Sequence, residues 1–257
     1  MNMKNSVILL LLTCFSITGF AKDLAPDKQD EFIAKLLNQQ VRQQISIEKS
    51  VGAILKRYPE KVERVINVAL SIYPDEYKQI MLGAMQAEPA ISSEVIDIFL
   101  SANITDSEEI IRLAINSEPA YAKEIIAVAA SYNQENLEDI VRVAITTEPF
   151  VSDTIFDETM QSYPEKIIDI LTGAILALPD QVMAFVKETL DLFPEESEKV
   201  ITAAISSSPS RHAKAIVNAA VDSGMDQDSA IKAAIKAGAD KSLFVEAGKI
   251  DDKEKPN

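Results

Sequence analysis

The chain has 257 residues, 47% hydrophobic and 25% charged, with 40 acidic against 25 basic side chains and a net charge of −15. That much apolar material can bury a large core and excludes a disordered chain. The acidic balance repels phosphate backbones and anionic lipid surfaces, which argues against nucleic acid and favours a protein or peptide partner of basic character.

Residues 1–21 stand apart from the rest. Lys4 supplies a short positive start, and "GFA" ends in small residues of the kind a signal peptidase reads. Between them "SVILLLLTCFSI" is apolar but shorter than the about 20 residues that span a bilayer. The expectation is a signal peptide cleaved after Ala21, hence an exported protein, periplasmic or extracellular, with no transmembrane segment after cleavage. Cys14 is the only cysteine, and Thr13 before it fits a lipoprotein signal poorly. Its removal leaves no thiol for a disulfide, a nucleophile or a metal. Residues 22–43 carry Phe32, Ile33, Leu36, Leu37 and Val41 at helical spacing, which predicts an N-terminal capping helix.

From residue 44 to 238 one period governs the chain. Pro59, Pro74, Pro89, Pro119, Pro149, Pro164, Pro179, Pro194 and Pro209 are separated by 15 residues or twice 15. Ile104, Gln134 and Gly224 fill the places where proline is missing. Counted from the proline, positions 7, 8, 11 and 12 are apolar, as in Val65/Ile66/Ala69/Leu70 and Ile110/Ile111/Ala114/Ile115. That spacing puts the four side chains on one broad helical stripe.

Alanine dominates position 11, which lets a neighbouring axis approach toward the short end of the ~8–10 Å range; Phe99, Thr159 and Thr189 interrupt it and predict wider packing there. One continuous right-handed coiled coil would share the spacing. Proline excludes it, since each interior proline costs about 3 kcal/mol or more yet is well tolerated at a helix start. Fifteen residues therefore divide into a helix of about 11 or 12 and a turn of about three.

A longer beat overlies the short one. "EP" recurs at Glu88, Glu118 and Glu148, and "ET" at Glu158 and Glu188, in each case 30 residues apart. The prediction is an all-α fold, an α-solenoid of about six 30-residue antiparallel helical hairpins, with a compact all-α bundle as the alternative. Residues 239–257 read as a C-terminal cap and polar tail.

Chemistry is sparse. His212 is the only histidine, beside Ser208 and Ser210, and reads as a solvated residue in a first helical turn rather than a general base. No phosphate-cradling glycine loop, zinc-protease motif or EF-hand is present, so no cofactor, metal or catalytic residue is assigned.

Repetition supplies the one positional hypothesis. The last residues of alternate units, Glu88, Glu118 and Glu148, should line one edge of the array as an acidic row. Tyr73, Tyr163 and Phe193 should line the other as anchors for a basic or extended segment. The plainer reading makes them turn residues that solubilise the edge or plug the core. The expected function is a non-catalytic protein- or peptide-binding scaffold of a bacterial envelope or its exterior. The alternatives are an enzyme with a carboxylate and His212 site on the inner face, or a self-assembling structural protein.

Overall fold

The computed structural model describes residues 26–248, so the signal-peptide and tail readings, with Cys14, lie outside the described residues. Among the described residues there are fourteen α-helices and no strand: α1 Pro26–Arg42, α2 Ile47–Arg57, α3 Val62–Ile72, α4 Tyr77–Met85, α5 Ser92–Ala102, α6 Ser107–Ser117 and α7 Ala122–Tyr132. They continue as α8 Leu137–Thr147, α9 Ser152–Ser162, α10 Ile167–Ala177, α11 Val182–Leu192, α12 Ser197–Ser207, α13 Ala213–Asp222 and α14 Gln227–Lys236. From α2 to α12 every helix starts 15 residues after the one before it, at 47, 62, 77 and so on to 197.

The turns explain the period. Tyr73 is typical: its N–H closes α3 on the carbonyl of Ala69 at 2.8 Å, and its own carbonyl accepts from Glu76 N at 3.0 Å. One residue thus ends a helix and begins the next. Its φ of −128° lies in the extended region that a following proline imposes. Pro74 then opens a three-residue 3-10 turn, Pro74–Glu76, where its missing N–H has no partner to lose. The prolines therefore start these short turns, and the 11-residue α-helices follow three residues later. Gln134 opens the same turn without being proline.

Two breaks in the proline series are built differently. Asn103 adopts a left-handed φ of 50°, and Asp106 caps α6 by accepting from Glu109 N at 2.7 Å. Gly224, with φ 101°, precedes Asp226, which caps α14 from Ser229 N at 2.9 Å. The Met225 N–H reaches the Ala220 carbonyl at 2.9 Å, the long bond of a glycine-terminated helix end.

Each helix packs on its sequence neighbours and, with α9 and α11 as the one looser pair, on the helix two places away, so the even-numbered and odd-numbered helices form two antiparallel rows. This is the all-α repeat array the periodicity predicted. The repeat stripe lies between the rows: Ile66, Ile80, Ile96, Ile111, Val141, Leu171 and Ile201 are all buried. The α1 helix joins the odd row against α3.

The rows are not equally tight. A Cβ placed on Gly83 of α4 would lie 2.2 Å from the carbonyl oxygen of Glu48 on α2, and one on Gly173 of α10 would lie 2.3 Å from that of Glu138 on α8. Backbone therefore touches backbone in the even row, at position 10 of the unit, beside the alanines that sequence reading singled out. In the odd row the backbones of α9 and α11 stand further apart than those of α8 and α10. Phe156 and Phe185 fill that gap, with ring centroids 4.8 Å apart. Thr159 and Thr189 are buried there, each hydroxyl donating to the carbonyl four residues back, Ile155 at 2.6 Å and Phe185 at 2.7 Å.

Candidate functional site

Side-chain rungs tie each row together at the repeat interval. In the even row Lys78 pairs with Glu109 at 2.6 Å, Arg142 with Glu108 at 3.4 Å, and Lys166 with Glu135 at 3.3 Å. In the odd row Arg64 pairs with Asp30 at 2.7 Å, Arg211 with Asp180 at 2.8 Å, and the Tyr132 hydroxyl donates to Asp97 Oδ1 at 2.8 Å. Exposed pairs of this kind each contribute about 0–1 kcal/mol, so they fix register more than they stabilise.

The outer face of the even row is charged or polar along most of its length. At unit positions 5, 9 and 13 it presents Glu108, Arg112 and Asn116 on α6, and Glu138, Arg142 and Thr146 on α8. The α10 helix breaks this pattern with Ile168, Thr172 and Leu176 at the same three positions. Leu176 is 45% exposed, and Ile168 is half-buried at the core's margin.

Beside this strip lies an open groove of about 690 Å³ between α10, α12 and α14. Ile168, Thr172 and Ala203 line it with Glu195, Glu196, Glu198, Lys199 and Lys236; Lys199 pairs with Glu196 at 2.7 Å and Lys236 with Glu198 at 4.0 Å. No ion pair crosses from α10 to α12 among the described residues. One more apolar side chain stands nearby in the fold: Phe150, 99% exposed, sits in the turn after α8, at the end of the array that carries the C-terminus of α10.

A second, larger groove of about 890 Å³ runs along α1, α3 and α5. Asp30, Glu31, Glu60, Glu63 and Glu94 line it with Lys61 and Arg64. It is the more polar of the two.

The residues predicted from the sequence occupy the edges assigned to them but do not converge on a site. Glu88, Glu118 and Glu148 follow the even helices α4, α6 and α8; Glu88 is exposed and the other two half-buried. Their carbonyls start the next turns, accepting from Ile91, Tyr121 and Val151 at 3.1, 3.0 and 3.2 Å. Tyr73, Tyr163 and Phe193 follow the odd helices α3, α9 and α11 at the opposite end and pack partly against the core. The Tyr73 hydroxyl donates to Asn38 Oδ1 at 2.7 Å.

His212 closes a 3-10 turn, where its Nε2 accepts from Arg211 Nε at 3.1 Å. Its Nδ1 and Ser208 Oγ are both buried, and no hydrogen bond joins them. Among the described residues no cluster of three or more His, Cys, Asp or Glu side chains could hold a metal ion, and no single helix is long and apolar enough to cross a membrane.

No family model, curated protein or solved structure matches the chain.

Sequence reading missed the α10 face although the signal was in the repeat. Aligning the units by position shows Ile168, Thr172 and Leu176 against Glu108, Arg112 and Asn116. An apolar exception in a charged column marks a surface, whereas the shared apolar columns mark the core.

Proposed function

We propose that this protein is an exported, non-catalytic binding scaffold that docks a basic, amphipathic protein or peptide segment on the outer face of α10. The single observation that supports the reading is the Ile168–Thr172–Leu176 strip, which replaces charged or polar side chains at the matching positions of α6 and α8 and borders a groove lined in part by carboxylates. Leu176 and Phe150 are the exposed apolar anchors, and Glu195 is the carboxylate that attracts a cationic group, since Glu196 and Glu198 are paired with Lys199 and Lys236. The net charge of −15 favours encounter with basic partners over the whole surface.

The test compares Leu176→Glu and Phe150→Ser with the wild type. Both side chains are exposed, so stability should change by less than about 0.5 kcal/mol. Affinity for a partner isolated on the wild-type protein should fall about 30- to 100-fold with Leu176→Glu, the loss expected for a central apolar anchor. A triple Glu88→Gln, Glu118→Gln, Glu148→Gln variant should bind within about twofold of the wild type, apart from a slower on-rate at low salt. Full affinity in Leu176→Glu with loss in the triple variant would move the docking surface to the edge.

A further inference from the structure

Along the even row the contact between one helix and the next follows a rule. Position 5 of one unit faces positions 6, 10 and 13 of the following even unit. Lys78 meets Glu109 at positions 5 and 6, at 2.6 Å, and Glu198 meets Lys236 at positions 5 and 13, at 4.0 Å. The Glu48 and Glu138 carbonyls, at position 5, press on Gly83 and Gly173, at position 10. Positions 8 and 12 close the contact on its core side, as Ile111 and Ile115 do on α6.

Each end of this row carries half of such a contact. On α2 position 10 is Ala53, which is exposed because no even helix precedes it; the matching Gly83, Val143, Gly173 and Ala233 are buried. Lys49 and Lys56, at positions 6 and 13, flank it and are exposed. On α14 positions 8 and 12 are Ile231 and Ile235. Position 8 is buried in every even helix from α2 to α12, yet Ile231 is only half-buried. Asp228 stands exposed at position 5 of the same helix. Among the described residues no ion pair reaches Lys49, Lys56 or Asp228.

A helical array that ends in solution closes with a polar outer face on its last helix. Here α14 leaves isoleucine uncovered, and α2 leaves alanine between two lysines. The N-terminal end adds Phe32 of α1, 49% exposed, and Ile45 in the turn that follows, 37% exposed. The odd row is closed at its other end, where the Lys241–Gly248 turn packs on α13.

We propose that the even row continues between copies of this chain, with α14 of one copy packing on α2 of the next as α12 packs on α14 within it. Asp228 then meets Lys49 and Lys56 of the second copy, acid at position 5 against base at positions 6 and 13, the polarity already present in Glu198 and Lys236. Ile231 and Ile235 are covered beside Ala53, whose small side chain permits a close approach. Two α2 faces would set lysine against lysine, so a two-fold dimer through this end is disfavoured. The joined surfaces differ, so every addition leaves a fresh pair of ends, and growth passes beyond the dimer into a ring or a filament. This assembly does not depend on what docks on α10.

Sedimentation velocity on the full chain at low salt, over about a hundredfold range of concentration, tests it. The average mass should rise past that of a dimer and fall back toward the monomer as salt is added. Ala53→Glu should stay monomeric throughout with unchanged helix content, because the side chain it replaces is exposed in the single chain. Asp228→Lys should stay monomeric as well, and so should the double variant Lys49→Asp, Lys56→Asp. An equal mixture of these last two should assemble as the wild type does, since reversed tails meet reversed heads and native tails meet native heads. A wild-type protein that is monomeric at every concentration overturns the proposal. So does growth that stops at a dimer, assembly that survives in Ala53→Glu, or a mixture that stays monomeric. If Asp228→Lys loses helix content through its base near the start of α14, Ala53→Glu and the double lysine variant decide the matter.

Discussion

Gly83→Ala should destabilise the protein by about 2–4 kcal/mol, even though alanine is the better helix former by about 1 kcal/mol. The new methyl would sit 2.2 Å from the Glu48 carbonyl oxygen, 2.9 Å from its carbon and 3.0 Å from its Cα, all backbone atoms that cannot rotate away. The α2 and α4 helices would have to separate, and each holds buried side chains against α3: Val51, Leu55, Ile80 and Ala84. Gly173→Ala should behave alike, because its Cβ would meet Glu138 O at 2.3 Å and Arg142 N at 3.2 Å. Gly52→Ala is the internal control: its nearest contact is Gly83 O at 3.1 Å, which a small shift relieves, so helix propensity and strain should nearly cancel. Urea midpoints of the three variants check the ranking. A neutral or stabilised Gly83→Ala would mean that the two even-row backbones do not touch.

Deletion of one 15-residue unit should be far more damaging than deletion of a 30-residue hairpin. Removing residues 119–148 joins Glu118 to Pro149, which reproduces the Glu-Pro step on both sides of the cut. The α10 helix then faces α6 instead of α8. Glu108 and Arg112 stand where Glu138 and Arg142 stood, so Gly173 meets the same backbone and the same residue types. A shorter array with a single cooperative transition is expected, with helix content reduced in proportion, because repeat stability is a sum of neighbour terms.

Removing only residues 119–133 also leaves a sound local junction, Glu118 to Gln134, yet it moves every later helix into the other row. The later helices keep one another as neighbours, but at the cut the even-row helix α8 would have to pack on α5 of the odd row, and α9, which carries Phe156, on α6 of the even row, so faces shaped for different partners meet there. The chain should lose cooperative unfolding and bind hydrophobic dyes as packing fails. Circular dichroism with thermal and urea melts distinguishes the two. Equal cooperativity in both deletions would contradict the two-row assignment.

The repeat was legible because proline and the apolar stripe report on one unit at a time. Each proline restricts its own φ and that of the residue before it, and each stripe such as Val65/Ile66/Ala69/Leu70 defines the buried face of its own helix. Features that depend on a facing helix were harder to read. Gly83 and Gly173 gave no local sign of their role, since the atoms they accommodate belong to Glu48 and Glu138, about one hairpin away in sequence.

The edge residues illustrate the reverse case. Periodicity placed Glu88, Glu118 and Glu148 at one end and Tyr73, Tyr163 and Phe193 at the other. What those positions share physically is a turn, in which the carbonyl before the proline starts the next helix.

The most direct test of the scaffold reading is amide hydrogen exchange on the full-length protein, free and bound to a partner recovered on it from native extract at low salt. The account predicts slowed exchange confined to Ile168–Leu176 and the facing Glu195–Ser206 segment, weakening as salt rises. Protection confined to the turns around Glu88, Glu118 and Glu148, or a bound partner that leaves α10 and α12 unprotected, would contradict it.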